Sequence, residues 1–311
     1  MQIKTIKKVI TSKLENWLLS IEDVQLRNDV RNNLLLSGGS ITSLLQSNPV
    51  NDYDIYIQDM DVLIRLAKYY CPGIVLDGRL KDEYIKNRFP NYDENDAYWL
   101  DTDEKYAPEL LVRLLTLKPE QVKLDIVSRG VKKSLLCEEG KEPVKYQVAF
   151  LSQNAISLTD DIQIVLRFSG SVEQIHKTFD FIHATNYFTF KDGLVTNIPA
   201  LESIITKTLK YQGSLYPLTS IIRMKKFINR GWTINAGEML KMIFQVSELD
   251  LKDLVILEEQ LIGVDVAYFS DLIEILRGTS PESLTPHYLS TIIDKVFSGD
   301  NSSQSEQEDN F

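Results

Sequence analysis

Apolar residues recur at helical spacing through most of the chain. The pattern from Ile3 to Leu36, interrupted near Ser20, predicts two helices that lead to a pair of glycines. A short helix is predicted over Ile41–Leu45 and a longer one over Asp61–Tyr70. After Ser171 the helical period dominates, and the helices predicted there cover 172–185, 198–211, 217–230, 236–246, 249–261, 266–277 and 287–297.

Strand-like patterns are confined to residues 52–168. From Asp52 to Ile57 acidic residues alternate with apolar or aromatic ones, which is the period of a strand with two different faces. The polar and aromatic segment Lys81–Ala107 predicts an insertion or a loop. Further strands are predicted over 110–117, 121–127, 144–152 and 162–168.

These patterns predict an α+β protein with three parts. Residues 1–165 form a head with a small mixed sheet flanked by helices, and residues 166–297 form an all-helical body. The tail, residues 298–311, is rich in Ser, Gln, Asn and acidic residues, so we expect it to be disordered.

Composition narrows the class of protein. The chain has 311 residues, 43% of them apolar, and a net charge of −10, which disfavours a protein that coats nucleic acid through its phosphates. A local basic groove or a nucleotide site is still compatible with this charge. There is no apolar run of about 20 residues and no signal-peptide pattern, so we expect a cytoplasmic protein without a membrane partner. The two cysteines, Cys71 and Cys137, predict neither a disulfide framework nor a metal cluster.

Three aspartates are the candidate catalytic residues. Strand alternation places Asp52 and Asp54 on one face, while Tyr53 and Ile55 point into a core. Two adjacent carboxylates favour a bound cation, and oxygen ligands suit Mg²⁺ or Mn²⁺. Asp125 lies in an apolar strand, where an unpaired charge is unfavourable. Placed beside the first two, it would complete a site for two metal ions.

A pair of glycines followed by Ser40 precedes these acids, with eleven residues between Ser40 and Asp52. Gly38 and Gly39 lack a Cβ, so backbone N–H groups there can approach a triphosphate, and Ser40 adds a hydroxyl donor. The helix that follows presents its N-terminus to an anion.

The stretch from Ser37 to Ile55 resembles the opening motif of the polymerase-β-like nucleotidyltransferases, with Gly-Gly, a short helix, Leu-Leu, Pro and Asp-x-Asp. In the order and spacing of these residues it is most similar to the tRNA nucleotidyltransferase (CCA-adding) and poly(A) polymerase branch. The whole chain also resembles nucleotidyltransferase-like proteins of large tailed phages. The resemblance implies a nucleotidyltransferase head that uses metal ions and an NTP. It also implies that Asp52, Asp54 and Asp125 hold the metal ions and that Gly38, Gly39 and Ser40 contact the triphosphate.

Two features differ from that family. The Arg-Asp pair that follows the glycines in the tRNA enzymes is absent from Ile41–Ser43. The nearest counterpart of their base-reading Asp-x-x-Arg is Asp180–His183, which ends in histidine. The base preference is therefore left open.

Several other residues have two interpretations. Arg223, Lys225, Lys226 and Arg230 form either a solvated helix face or a phosphate groove in which Trp232 stacks on bases. Arg167 is either a structural strut or a nucleotide contact. For His176 and His183 we expect packing and no metal, because no third ligand is evident.

The sequence favours a metal-dependent nucleotidyltransferase that transfers a nucleoside monophosphate from an NTP to an acceptor hydroxyl and releases pyrophosphate. The acceptor would be an RNA 3′ end (tRNA-like), a protein side chain or a small molecule, in the host cytoplasm if a phage encodes the protein. Two alternatives stay open, a nucleotide- or RNA-binding module without turnover and a phage structural protein.

Overall fold

The computed structural model describes residues 2–71, 75–77, 112–118, 121–126, 145–152, 154–251, 253–261, 285, 287–288 and 290–292. In 75–77, 112–118 and 121–126 it describes the backbone and, of the side chains, only Val122. The chain divides into two compact units, Met1–Thr206 and Lys207–Phe311. Among the described helices, none is both long and apolar enough to cross a membrane.

The first unit contains helices and a seven-stranded sheet. Its helices are α1 (Ile3–Leu19), α2 (Val24–Asn33), α3 (Gly39–Gln46), α4 (Met60–Tyr70), α5 (Val172–His176) and α6 (Ile198–Thr206), with a 3₁₀ turn at Ile182–Ala184. The strands of its large sheet are β1 (Leu34–Ser37), β2 (Tyr53–Ile57), β6 (Val148–Leu151), β7 (Ala155–Leu158), β8 (Ile162–Val165), β9 (Tyr187–Thr189) and β10 (Gly193–Val195). A second, three-stranded sheet contains β3 (Val75–Asp77), β4 (Val112–Lys118) and β5 (Gln121–Ile126).

The large sheet is mixed. Its strand order is β10-β9-β1-β2-β8-β7-β6, and only the β2–β8 pair is parallel. The neighbours of β2 are therefore β1, with Leu36 opposite Ile55, and β8, with Gln163 opposite Asp54. The α+β class and the mixed sheet flanked by helices are as the sequence predicts.

Polar side chains mark several helix starts. Asp23 accepts a hydrogen bond from the N–H of Leu26 at the start of α2, and Asp59 accepts one from Val62 at the start of α4. Ser171 and Gln174 form a capping box at α5. These caps satisfy amide groups that the first turn leaves without a helical partner.

One face of the large sheet is covered by α1 to α4. Alternate strand residues point into this core, so Leu34 and Leu36 of β1 are buried there together with Tyr53 and Ile55 of β2. Trp17 of α1 is also buried and donates from Nε1 to the Tyr70 hydroxyl at 2.8 Å. We call this side of the sheet the core face.

The opposite side of the sheet has a smaller apolar cover. Leu35 and Tyr56 pack there against Ile175 and Phe179, which lie on or just after α5. By the same alternation, Ser37 and Asp54 project from this side. We call it the site face.

The second unit is mainly helical among its described residues. It contains α7 (Pro217–Asn229), α8 (Ala236–Ser247) and α9 (Leu254–Leu261), with a parallel pair of two-residue strands, β11 (Thr208–Leu209) and β12 (Thr233–Ile234). The helices predicted over 266–277 and 287–297 lie mostly outside the described residues, as do the segment 81–107 and the tail.

Three regions differ from the sequence-based expectation. The segment 34–36, expected to end a helix, is strand β1. The helix predicted over 172–185 ends at His176, and strands β9 and β10 follow it. Because both strands belong to the large sheet, that sheet extends past residue 165, where the sequence placed the end of the head.

Candidate functional site

Asp52 and Asp54 lie at the start of β2. Tyr53 and Ile55 are buried in the core face, so Asp54, which lies between them in β2, points to the site face. Asp52 immediately precedes the strand and is exposed, and Asp54 is half-buried. That both carboxylates meet one ligand stays a prediction.

Gly38 brings the glycine motif against Asp54. Its φ is +98°, a region that favours glycine, and a Cβ built on it would lie 3.2 Å from Asp54 Oδ2. The absence of a side chain thus leaves room for the carboxylate. The Gly38 N–H donates to the Ala184 carbonyl at 3.0 Å, so this amide is engaged inside the protein. Gly38 therefore shapes the loop, and its contact with a triphosphate stays a prediction.

Gly39 and Ser40 form the first turn of α3. Gly39 is exposed and has nothing within 4 Å of its Cβ position. Ser40 is only 2% exposed, and its Oγ forms no hydrogen bond with any residue that the structure describes. A buried hydroxyl without a partner is unfavourable, and a ligand oxygen would satisfy it.

A hydrogen-bonded network holds the loop from behind. Ser37 Oγ lies 2.9 Å from the Asn186 carbonyl, 3.1 Å from the Ala184 carbonyl and 2.9 Å from His176 Nε2. A carbonyl can only accept, so the hydroxyl hydrogen goes to a carbonyl and His176 Nε2–H donates to Ser37 Oγ. Thr42 Oγ1 also donates, to the His183 carbonyl at 3.0 Å. The segment after α5 therefore fixes both ends of the glycine turn.

Both histidines of this segment are held neutral. Burial lowers the pKa of His176 from its ordinary value of 6.5 to about 4, against the opposing effect of Glu173. Burial also lowers the pKa of His183 to about 4, and Asp180 opposes the shift. The His176 ring packs against Phe179 and Tyr187, with centroids 5.2 and 5.8 Å away. These contacts agree with the packing role expected for both residues.

Asp125 lies in β5, opposite Arg113 of β4. Strand β5 is not a hydrogen-bonded neighbour of β2, but it reaches the same core through Val122, whose N–H donates to the Leu166 carbonyl at 3.3 Å just after β8. The Asp125 side chain lies outside the described part of the chain. Its convergence with Asp52 and Asp54 stays a prediction.

The donor set fits a magnesium ion shared with a substrate. Within the described residues, no group of three His, Cys, Asp or Glu side chains could hold a metal ion by itself. Mg²⁺ usually takes one or two carboxylates, with waters and phosphate oxygens as its other ligands. Asp52 and Asp54 are such carboxylates, and Asp54 lies beside the space at Gly38.

Other residues from the sequence analysis lie in the interior. Arg167 is buried and donates from Nη1 to Asn154 Oδ1 at 3.1 Å, which supports the structural role. Asp180 is buried as well and accepts from the N–H of Phe181, and His183 is 2% exposed. Sequence reasoning missed the role of Ser37 and His176, because 139 positions separate them and no local pattern links the two.

The fold was compared with solved structures. The Thermotoga maritima CCA-adding enzyme complexed with tRNA aligns at 13% identity and a TM-score of 0.38, covering 90% of this chain and 59% of that one. The Bacillus stearothermophilus CCA-adding enzyme in complex with CTP aligns at 10% identity and a TM-score of 0.35, covering 89% and 62%. This chain thus spans less than two thirds of the length of either enzyme. A likeness at this level carries no information about substrate or activity.

Among curated proteins, none matches the chain. A family model described as Gabija anti-defense 2 family protein matches residues 8–207, which is more than half of the sequence. The chain therefore belongs to the Gabija anti-defense 2 family.

Proposed function

We propose that the protein is a metal-dependent nucleotidyltransferase that transfers a nucleoside monophosphate from an NTP to an acceptor hydroxyl. One observation carries the proposal. Asp54 Oδ2 comes within 3.2 Å of the Cβ position of Gly38, so the glycine turn and the Asp-x-Asp strand meet in space. A turn beside a helix N-terminus and a pair of carboxylates are the parts that an NTP with a divalent cation requires.

Each residue has a role in this reaction. Asp52 and Asp54 would hold Mg²⁺ or Mn²⁺, which supplies positive charge that offsets the charge of the triphosphate. Gly39 and Ser40 receive phosphate oxygens at the start of α3, where the helix dipole favours an anion. The Ser37–His176 contact keeps that turn in place.

The transfer is a single displacement at phosphorus. The acceptor oxygen forms a bond to the α-phosphorus, and the bond from that phosphorus to the bridging oxygen breaks. Pyrophosphate leaves with the electron pair. Asp125 accepts the proton of the acceptor hydroxyl.

The family description supplies the biological setting. Gabija anti-defense 2 names a counter-defence role, so we place the transfer in a phage's response to a host defence, in the host cytoplasm. The acceptor would be an RNA 3′ end or a protein side chain. Both offer a hydroxyl whose modification can change the activity of a larger molecule.

A second candidate function is a nucleotide-binding module without turnover. Such a module needs only the start of α3, where the exposed Gly39 lies at a helix N-terminus that favours an anion, and it does not need three converging aspartates. Such a module would bind an NTP and release no pyrophosphate.

The test uses α-labelled NTPs with Mg²⁺ or Mn²⁺ and total host RNA and protein as acceptors. Wild type is compared with Asp52→Asn and Asp54→Asn, and with Asp61→Asn as the control. Asp61 is an exposed acid in the first turn of α4, a helix that covers the core face. We expect label incorporation to fall at least about 100-fold in the first two variants and to stay unchanged in the control.

Two outcomes would decide against the enzyme. Equal labelling by wild type and both site variants would remove the aspartates from the reaction. NTP binding without pyrophosphate release, for every acceptor supplied, would favour the binding module.

A further inference from the structure

The second unit carries a run of positive charge in an acidic protein. Between Lys207 and Gly237 there are six Lys or Arg residues and no Asp or Glu, although an average stretch of this length would hold about four acidic residues, given 44 in 311. The net charge of the whole chain is −10. The segment 207–237 is therefore positively charged within a chain whose net charge is negative.

Three of these cations share one side of α7. Arg223, Lys226 and Arg230 are three and four positions apart, so they lie on one face of the helix. All three are exposed. At 1.5 Å of rise per residue the group spans about 10 Å along the helix axis.

A fourth cation is brought to the same corner. The chain turns back after Arg230, where Gly231 has a φ of +79° and Trp232 donates from its N–H to the Phe227 carbonyl. Strand β12 then pairs with β11, and the Thr233 N–H donates to the Lys207 carbonyl at 2.7 Å. Lys207 is exposed, and its hydrogen-bond partner Thr233 lies four residues after the end of α7. We call Lys207, Arg223, Lys226 and Arg230 the basic face.

Ordinary helix electrostatics explains only part of this arrangement. Cations in the last turn are favoured by the helix dipole, which accounts for Lys226 and Arg230. The dipole does not account for Arg223 in mid-helix, nor for a segment without carboxylates. Among the residues that the structure describes, none forms an ion pair with Lys207, Lys226 or Arg230. Their charges are available to an external anion.

We propose that the basic face binds the phosphate backbone of a nucleic-acid strand. This binding does not depend on the proposed function. Trp232 is 5% exposed and packs on Phe227 with ring centroids 5.5 Å apart, so it is no stacking platform for bases. Binding through phosphates alone is independent of sequence and sensitive to salt.

The test measures binding without NTP or divalent cation. Fluorescence anisotropy follows labelled 20-nucleotide single strands of RNA and of DNA at 50 to 200 mM salt. The variant Arg223→Gln/Lys226→Gln/Arg230→Gln is compared with Lys4→Gln/Lys8→Gln/Lys68→Gln, which removes the same charge from exposed positions on α1 and α4. Each phosphate contact contributes about 0.7 to the salt slope on a single strand, so we expect the slope to move toward zero by about 2 in the first variant only.

The outcomes separate the two proposals. The proposal that the basic face binds nucleic acid is overturned if the two triple variants have equal salt slopes. It is also overturned if the protein binds an acidic peptide in preference to both oligonucleotides. Lys207→Gln/Lys226→Gln repeats the test with two exposed changes if circular dichroism shows that the triple variant is unfolded. Asp52→Asn/Asp54→Asn should bind the strand as wild type does. If wild type binds the strand but transfers no label, or transfers as much as Asp52→Asn/Asp54→Asn, the result counts against the enzyme alone. Preference for RNA over DNA, or the reverse, identifies the kind of strand that the basic face binds.

Discussion

The two faces of the large sheet differ in what they bury. The core face packs four helices against apolar side chains of β1 and β2, with Trp17 and Ile10 fully buried. The site face has a small apolar cluster around Tyr56 and Phe179. It also carries polar groups, among them Ser37 and Asp54.

This difference separates stability from chemistry. Apolar burial stabilises by about 25 cal/mol per Å², so most of the folding free energy of this unit comes from the core face. The site face can then hold charged and polar groups whose value is in binding. Substitutions on the first face should lower stability, and substitutions on the second should change ligand binding out of proportion to stability.

The largest expected effect comes from Trp17→Ala. Trp17 is fully buried in the core face and its Nε1 donates to the Tyr70 hydroxyl. We expect a loss of about 3–5 kcal/mol in the free energy of unfolding, from lost burial and the cavity left behind. Urea unfolding followed by circular dichroism measures it, with Leu19→Ala, an exposed change on the same helix, as the control. A loss no larger than that of Leu19→Ala would contradict the assignment of the main core to this face.

A smaller loss is expected from Ser37→Ala. The change removes the oxygen that lies 2.9 Å from both His176 Nε2 and the Asn186 carbonyl. Ser37 is buried, so solvent does not readily replace the lost hydrogen bonds. We expect a destabilisation of about 1–3 kcal/mol and weaker binding of NTP. Ser43→Ala on α3 is the matched control, for which urea unfolding should show a change within about 0.5 kcal/mol. Unchanged NTP affinity in Ser37→Ala would show that the network does not hold the glycine turn.

The glycine pair allows a comparison of neighbouring positions. Gly38→Ala must accept a φ of +98° and a Cβ 3.2 Å from Asp54 Oδ2, so we expect it to cost about 1–2 kcal/mol and to displace that carboxylate. Gly39→Ala meets nothing within 4 Å in a helix and should be neutral or slightly stabilising. Thermal unfolding and NTP titration of both variants test this. If Gly39→Ala keeps its stability but loses NTP affinity, the phosphate approaches the Gly39 backbone.

The spacing of apolar residues along the sequence was sufficient to predict part of the fold. The alternation over Asp52–Ile57 predicted strand β2 and its two faces, and the spacing over Asp61–Tyr70 predicted α4. Strand β1 was missed because Leu34, Leu35 and Leu36 are buried on both sides, which removes the alternation that marks a strand.

Contacts between residues far apart in the sequence determine the features that the sequence patterns did not predict. The start of α5 follows from its capping box, whereas the segment after α5 is held by contacts from the glycine turn, where Gly38 N–H donates to the Ala184 carbonyl and Ser37 Oγ to the Asn186 carbonyl. No pattern near residue 180 contains that information. For the same reason the aspartates of the site could be named from the sequence, while the histidine that supports the loop could not.

The smallest expected effect is a pH dependence of stability from the site face. The pKa of His176 is about 4 in the folded protein and 6.5 when unfolded, so the unfolded chain binds more protons between these values. This contribution to stability is complete above pH 6.5 and is lost as the pH falls toward 4. His176→Gln keeps a donor near Ser37 but does not titrate. Urea midpoints at pH 7.5 and 5.0 should therefore fall less in this variant than in wild type.

The matched control is His287→Gln, because His287 is exposed and lies in the second unit. Its two midpoints should differ by as much as those of wild type. Carboxylates titrate in all three proteins, so only the difference between variants reports on the histidine. If the urea midpoints of His176→Gln and His287→Gln fall equally between pH 7.5 and 5.0, burial of His176 contributes nothing measurable to the pH dependence of stability. Solvent then reaches His176 more readily than its 2.9 Å contact with Ser37 implies.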